Sequence, residues 1–215
     1  AEIGLKTSGK AVRELAKELS SQGEELIIVA AGDGTIEEVA SQLVGTDVTL
    51  GIIPVGTMNN LARALGIPLD IDGACELLAL NVSRKIDVGR VVANGKPEVE
   101  YFLETAGVGL SAIGIPAGQA AEKGKWSSLP SAIRRLFDSH PCPVEVELDG
   151  GQVVTANSEL VTISNCPLLG NNIMLAPDAK MDDGLLDVAV YDNMGKTELL
   201  SYFVGSANGS RTGPA

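Results

Sequence analysis

The chain has 215 residues, room for one or two domains of roughly 150 residues each, and its 45% hydrophobic and 20% charged content is globular, which excludes disorder throughout. Sixteen Lys and Arg against 28 Asp and Glu give a net charge of −12, which argues against generic attraction to a nucleic-acid backbone. Apolar runs such as Leu26 to Ala31 and Val48 to Val55 are far shorter than the roughly 18 to 20 residues of a membrane-spanning helix. The start, Ala1 to Lys17, has no charged head followed by an apolar signal core. Cys75, Cys142 and Cys166 are odd in number and widely spaced, so neither a disulfide framework nor a zinc ribbon is expected and a reducing cytoplasm fits best.

In chain order, Val12, Leu15, Ala16 and Leu19 share one face of a helix predicted over Lys10 to Leu19. The continuous apolar run Leu26 to Ala31 predicts a parallel strand covered on both faces. Thr35 to Leu43 reads as a helix burying Ile36, Val39, Ala40 and Leu43, and Val48 to Val55 as the next buried strand. Helices around Asn59 to Leu65 and Ile71 to Leu80 complete an α/β alternation. From Lys85 the pattern turns to strands: Ile86 to Val92, Tyr101 to Ala106, Val144 to Leu148, Val153 to Ile163 and Leu185 to Tyr191, with one helical insertion near Ala117 to Phe137. The change predicts an α/β domain over 1–84 and a β-rich domain over 85–215, ending in a tail from Ser206 that reads as disordered.

Two turns carry the chemistry. Ala31-Gly32-Asp33-Gly34-Thr35 follows a buried strand and opens a helix, where glycines let backbone N–H groups approach a phosphate. Asp33 would repel a bare phosphate, so it points to a cation, or a hydrogen-bonded network around one, accompanying the phosphates. Pro54-Val-Gly-Thr-Met-Asn-Asn-Leu-Ala-Arg63 repeats the arrangement after the next strand. Helix capping by Asp33 or Thr35, and by Thr57 or Asn59, would explain either turn alone. Two such turns on one sheet edge point to a polyanionic ligand. A third motif, Lys180-Met-Asp-Asp-Gly-Leu-Leu-Asp187, is ordinary turn chemistry, or a hard-cation loop built on Asp183.

Together AGDGTIEEVA, PVGTMNNLARALGIP and PDAKMDDGLLDV resemble the diacylglycerol kinase catalytic-domain family, which includes bacterial lipid kinases and the sphingosine and ceramide kinases. The likeness covers most of the chain. It implies a Rossmann-like, NAD-kinase-like α/β N-terminal domain for the nucleotide and a C-terminal β-sandwich domain for the lipid. It implies ATP and Mg2+ as cofactors, and an ATP site drawn from Thr7, Gly32, Asp33, Gly34, Thr35, Ile36, Glu37, Glu38 and Thr57, with Asn59 and Asn60 in the adjoining polar network. For the magnesium it implies the Asp183 side chain and the backbone oxygens of Lys180 and Leu185. This chain departs from the family pattern in Ala31 for Gly, Glu37 for Asn and Asn60 for Asp; the last removes a charge beside any cation. The family's opening strand ending in Asn-Pro and the Asp-Gly-Glu segment that supplies the catalytic base have no counterpart in the sequence. A fragment, a chain with segments dropped and a degenerate member all fit that, and Asp149-Gly150-Gly151 does not replace the base.

The activity implied is ATP-dependent phosphorylation of a lipid hydroxyl, most simply diacylglycerol to phosphatidic acid, by a cytoplasmic protein working at the membrane surface, with a homodimer compatible with paired β-sandwiches. Lys123, Lys125, Arg134 and Arg135 around Trp126 form a basic segment suited to anionic lipid, or an ordinary solvated one. An NAD-kinase-like enzyme with a soluble substrate and a non-catalytic nucleotide- or lipid-binding regulator are the alternatives. Gly107-Val-Gly-Leu-Ser-Ala112 fits a dinucleotide fingerprint but reads better as a glycine-rich bend, and His140 as a loop residue.

Overall fold

The computed structural model describes residues 9–92, 99–109, 138–169 and 173–198. The chain forms two compact units, Ala1–Leu103 with Met181–Gly184, and Glu104–Lys180 with Leu185–Ala215.

The first unit begins with α1 (Gly9–Ser21), β1 (Leu26–Ala31), α2 (Asp33–Leu43) and β2 (Thr49–Pro54). Parallel neighbours need a crossover connection, and α2 supplies it. β1 and β2 pair in parallel from Leu26 opposite Thr49 to Ala31 opposite Pro54. The helical spacing seen in the sequence brings Ala16 onto Ile27, Val39 and Leu43, with Val12, Leu19, Val29, Val48 and Leu50 around them. Burial of β1 is one-sided, against expectation: Ile27 is in the core while Leu26 and Ile28 are 43% and 50% exposed. Two short helices follow, α3 (Asn60–Leu65), closed by Gly66 in the left-handed region, and α4 (Ile71–Ala79). The Asp70 carboxylate caps α4 by accepting from the Gly73 N–H at 2.8 Å. Gly51 leaves room on β2 for Leu78 of α4, which a Cβ there would meet at 2.8 Å.

A short antiparallel pair, β3 (Gly89–Val91) and β4 (Glu100–Phe102), completes this unit. Gly89 lies so close under the Phe102 ring that a Cβ would overlap it. Two predicted strands are shorter than their apolar runs. Ile86 to Val92 yields only β3, because Asp87 is held elsewhere: its N–H donates to the Met181 carbonyl at 2.6 Å, and its carboxylate accepts from the Gly184 N–H at 2.7 Å. Tyr101 to Ala106 breaks at Leu103 and Glu104, because the Glu104 carbonyl accepts from the N–H groups of both Asn165 and Cys166. The shift in pattern at 84–86 marks the end of helix-strand alternation, whereas the compact units divide at Leu103/Glu104, with Met181–Gly184 returning to the first.

The second unit contains β5 (Thr105–Gly109), β6 (Cys142–Glu147), β7 (Val153–Ser164), β8 (Leu168–Leu169), β9 (Ile173–Met174) and β10 (Asp187–Asp192). β7 organises the main sheet, pairing antiparallel with β5, β6 and β10. In β6, Val144 and Val146 are half-buried and Glu145 and Glu147 exposed, the alternation of a sheet with one wet face. A turn over Asp149–Gly151 joins β6 to β7, with Gly150 and Gly151 at φ 78° and 80°. That is a hairpin turn, as the sequence suggests. Opposite Ser158 the register of β10 shifts, and the buried Ser158 hydroxyl mends the gap: it accepts from the Leu160 N–H at 3.1 Å and lies 2.8 Å from the Tyr191 carbonyl. Gly107 and Gly109 belong to β5, and Gly109, at φ 79°, passes so close to the Glu159 carbonyl that a Cβ would overlap it. Close backbone approach explains Gly109.

Candidate functional site

The parallel register of β1 and β2 sets the two glycine turns side by side at the carboxyl ends of both strands. There the backbones touch. A Cβ built on Gly32 would lie 3.0 Å from the Gly56 Cα, and one on Gly56 would overlap the Gly32 Cα and stand 2.8 Å from the Asn59 Oδ1. Neither position has room for a side chain. Gly34, two residues on, is exposed, and a Cβ there would meet nothing within 4 Å.

Side-chain hydrogen bonds lock the two turns together. Gly32 stands at the N-cap of α2 and, as glycine, has no side chain with which to cap it. Asp33 instead reaches across to α3, where its carboxylate accepts from the Leu61 N–H at 3.1 Å. The acidic group thus sits at a helix N-terminus, where unpaired amides favour negative charge. That bond fixes one carboxylate oxygen of Asp33 against the start of α3. Asn59 adopts the left-handed conformation, φ 51° and ψ 44°, which a short amide side chain tolerates. Its Oδ1 accepts from the Gly56 N–H at 2.9 Å and its Nδ2 donates to the Gly56 carbonyl at 3.0 Å. Asn59 precedes α3 yet does not cap it; its amide grips Gly56 and leaves the capping to Asp33. Arg63 steadies the same turn, its Nε donating to the Met58 carbonyl at 3.0 Å. Asn60 is buried, Thr35 and Glu38 half-buried, and Thr57 exposed. Ile36 is fully buried, so only its main chain is available to a ligand.

Glu37 departs from the other candidates. Its carboxylate accepts from the Leu103 N–H at 3.2 Å, 66 residues away. Burial pushes its pKa above the ordinary value near 4.5, the Leu103 amide opposes that rise, and the negative charges of Asp33 and Glu38 add to it.

The third motif forms a turn with Gly184 at φ 76°. Asp87 holds that turn at Met181 and Gly184, and Arg84 pairs with Asp182 at 3.6 Å. Asp183 is exposed on the turn, a hard oxygen donor of the class that suits magnesium. Among the described residues no group of three or more His, Cys, Asp and Glu side chains is arranged to hold a metal. The sequence reading missed Asp87. Its one signal is an acid set between Ile86 and Val88 in an apolar run. Thr7 and the basic segment around Trp126 lie outside the described residues, while His140 is an exposed loop residue.

Comparison with known proteins agrees with this geometry. The family model for the diacylglycerol kinase catalytic domain matches residues 2–91, and that for the YegS C-terminal NAD kinase beta sandwich-like domain matches residues 107–212. A solved structure from Bacillus anthracis str. Sterne superposes with a TM-score of 0.73 at 32% identity, over 94% of this chain and 67% of that one. This chain belongs to the diacylglycerol kinase catalytic-domain family. Another structure from the same organism, described as a diacylglycerol kinase, gives a TM-score of 0.69 at 29% identity over 93% of this chain and 63% of that one. The Bacillus subtilis diacylglycerol kinase is 37% identical over 195 residues, covering 86% of this chain and 61% of the relative. A Staphylococcus aureus diacylglycerol kinase is 27% identical over 220 residues, covering 97% and 68%. The chain spans about three fifths of the length of the first of these relatives and of the 28%-identical diacylglycerol kinase of Mycobacterium tuberculosis. Family membership accounts for the architecture, an α/β nucleotide-type unit followed by a β-sandwich-like one. Among the described residues no helix is long and apolar enough to cross a membrane.

Proposed function

We propose that the chain carries the phosphotransferase machinery of an ATP-dependent lipid kinase, most simply converting diacylglycerol to phosphatidic acid at the membrane surface. The paired glycine turns carry the reading: the backbones of Gly32 and Gly56 touch, α2 opens on a glycine that has no side chain to cap it, and Gly34 lies open beside that helix end. A helix N-terminus approached through glycine is suited to phosphate oxygens.

Phosphoryl transfer asks for placement and charge neutralisation more than for covalent chemistry. In this reading the amides at the start of α2 hold phosphate oxygens, and Thr35 and Thr57 donate their hydroxyls. Gly32, Gly34 and Glu38 line the same site. Asp33, Asn59 and Asn60 keep the two turns fixed against each other. The lipid hydroxyl oxygen bonds to the γ-phosphorus, the bond from that phosphorus to the bridging oxygen breaks, ADP leaves, and the hydroxyl proton passes to a general base. No Asp-Gly-Glu tripeptide occurs among the 215 residues to supply that base. Magnesium, when bound, would neutralise phosphate charge; Asp183 is the side chain proposed to hold it, and Lys180 and Leu185, three residues before it and two after, have carbonyl oxygens of the same hard class.

The test incubates the full-length protein with labelled ATP, Mg2+ and vesicles containing diacylglycerol, a sphingoid base or another lipid alcohol, with NAD+ as a soluble acceptor. Label is expected in phosphatidic acid and absent with Asp33→Ala. Label in another lipid keeps the kinase and changes its substrate. Label in NAD+ alone, or ATP binding without transfer, overturns the reading in favour of a soluble-substrate kinase or a regulator.

A further inference from the structure

The chain passes between its two compact units three times, at Leu103/Glu104, Lys180/Met181 and Gly184/Leu185. Backbone at such places falls between elements and has no strand partner to fix it. Here carboxylates of the α/β unit take that role. The Leu103 N–H, between β4 and β5, donates to Glu37 at 3.2 Å, and the next residue, Glu104, accepts from Asn165 and Cys166 at 2.8 and 3.1 Å. At the return, a single residue fastens both ends of a four-residue excursion: Asp87 donates its N–H to Met181 at 2.6 Å and accepts from Gly184 at 2.7 Å. Arg84 and Asp182 add an ion pair that is half exposed and contributes little. Bonds to charged acceptors are the stronger kind, and one carboxylate reaching a backbone amide fixes main chain, not merely another side chain.

Glu37 also stands one helical turn from Asp33 on α2. One short stretch of helix therefore carries the glycine turn at its start and the anchor of the Leu103 crossing four residues later. A helix transmits displacement of one end to the other as a stiff body.

We propose that Glu37 and Asp87 are positioning residues, which fasten the chain where it passes between the two units and so set the rate of the transfer step and not the affinity for ATP. This rests on the kinase reading and departs from the resemblance in giving Glu37 a task other than nucleotide contact.

The experiment compares the full-length protein with Glu37→Ala, Glu37→Gln, Asp87→Ala and Asp87→Asn. It reads amide hydrogen exchange at Leu103 and Gly184, ATP affinity by calorimetry, and kcat for lipid phosphorylation. Both alanine variants are expected to lose protection at their own amide by about tenfold or more, as local opening is eased. Their kcat is expected to fall by about ten- to a hundredfold, the scale of an ångström-level misplacement. ATP affinity should stay within about twofold, and Gln or Asn, which still accept a hydrogen bond, should restore most of both losses. Unchanged exchange in the alanine variants overturns the fastening. Eased exchange with unchanged kcat overturns the positioning role, and ATP affinity falling in step with kcat returns Glu37 to the nucleotide site. Should the wild-type protein transfer phosphate to no lipid, the kinase reading falls by that result, and the exchange arm alone then upholds or overturns the fastening.

Discussion

Asp33 has a partner that its neighbours in sequence do not reveal. Among glycines it reads as part of a cation network beside the phosphates, and one oxygen of its carboxylate also accepts from the Leu61 amide, 28 residues on. Asp33→Ala should lower stability by about 1 kcal/mol through loss of that cap, read from the urea midpoint, while Asp33→Asn, which still accepts, should lose only a fraction of it. Glu37 has a different signature. Its native pKa lies above the ordinary value near 4.5, mainly through burial, so the folded protein holds this proton to higher pH than the unfolded chain does. The stability it contributes is complete below about 4.5 and is lost as pH rises through the native value. Glu37→Gln, which mimics the protonated group, should therefore gain on the wild type as pH rises from 4.5 towards neutrality in paired denaturation curves, and the gain should vanish below that window. The glycines were legible at this scale because conformation and size are local properties. The partners of Asp33, Glu37 and Asp87 were not, because each is an amide brought near only by the fold.

Among elements, periodicity served best where a face is continuously buried. The predicted helix over Lys10 to Leu19 lies within α1, and the run from Val48 to Val55 frames β2 with a residue to spare at each end. It failed where backbone amides were claimed by distant carboxylates or carbonyls, which is how Ile86 to Val92 shrank to β3 and how β4 and β5 became two strands. The pairing of β1 with β2 makes its own prediction. Gly56→Ala should destabilise the protein by about 1 to 3 kcal/mol, since its methyl group would overlap the Gly32 backbone. Gly34→Ala is the contrast, because helix propensity favours it by up to about 1 kcal/mol and nothing obstructs the methyl group. It should raise or preserve the melting temperature while weakening ATP binding, and unweakened binding would remove the start of α2 from the proposed site.

For the whole molecule, the three cysteines report on unfolding. Cys75 and Cys142 are exposed and Cys166 is completely buried beside the Glu104 crossing. Native protein should therefore take up two alkyl groups quickly in a thiol-labelling mass measurement, with the third appearing only as the β unit opens. The sequence made both architectures legible, since helix-strand alternation and strand alternation differ in period. It could not show that four residues near position 180 belong with the first hundred, because no local pattern marks a segment as borrowed. Cutting the chain after Leu103 would part Asp87 from Gly184 and leave the α/β unit without a piece of itself. A fragment of residues 1–103 should therefore melt at a lower temperature than the same unit within the whole chain, and adding a peptide of residues 180–185 should recover part of the difference.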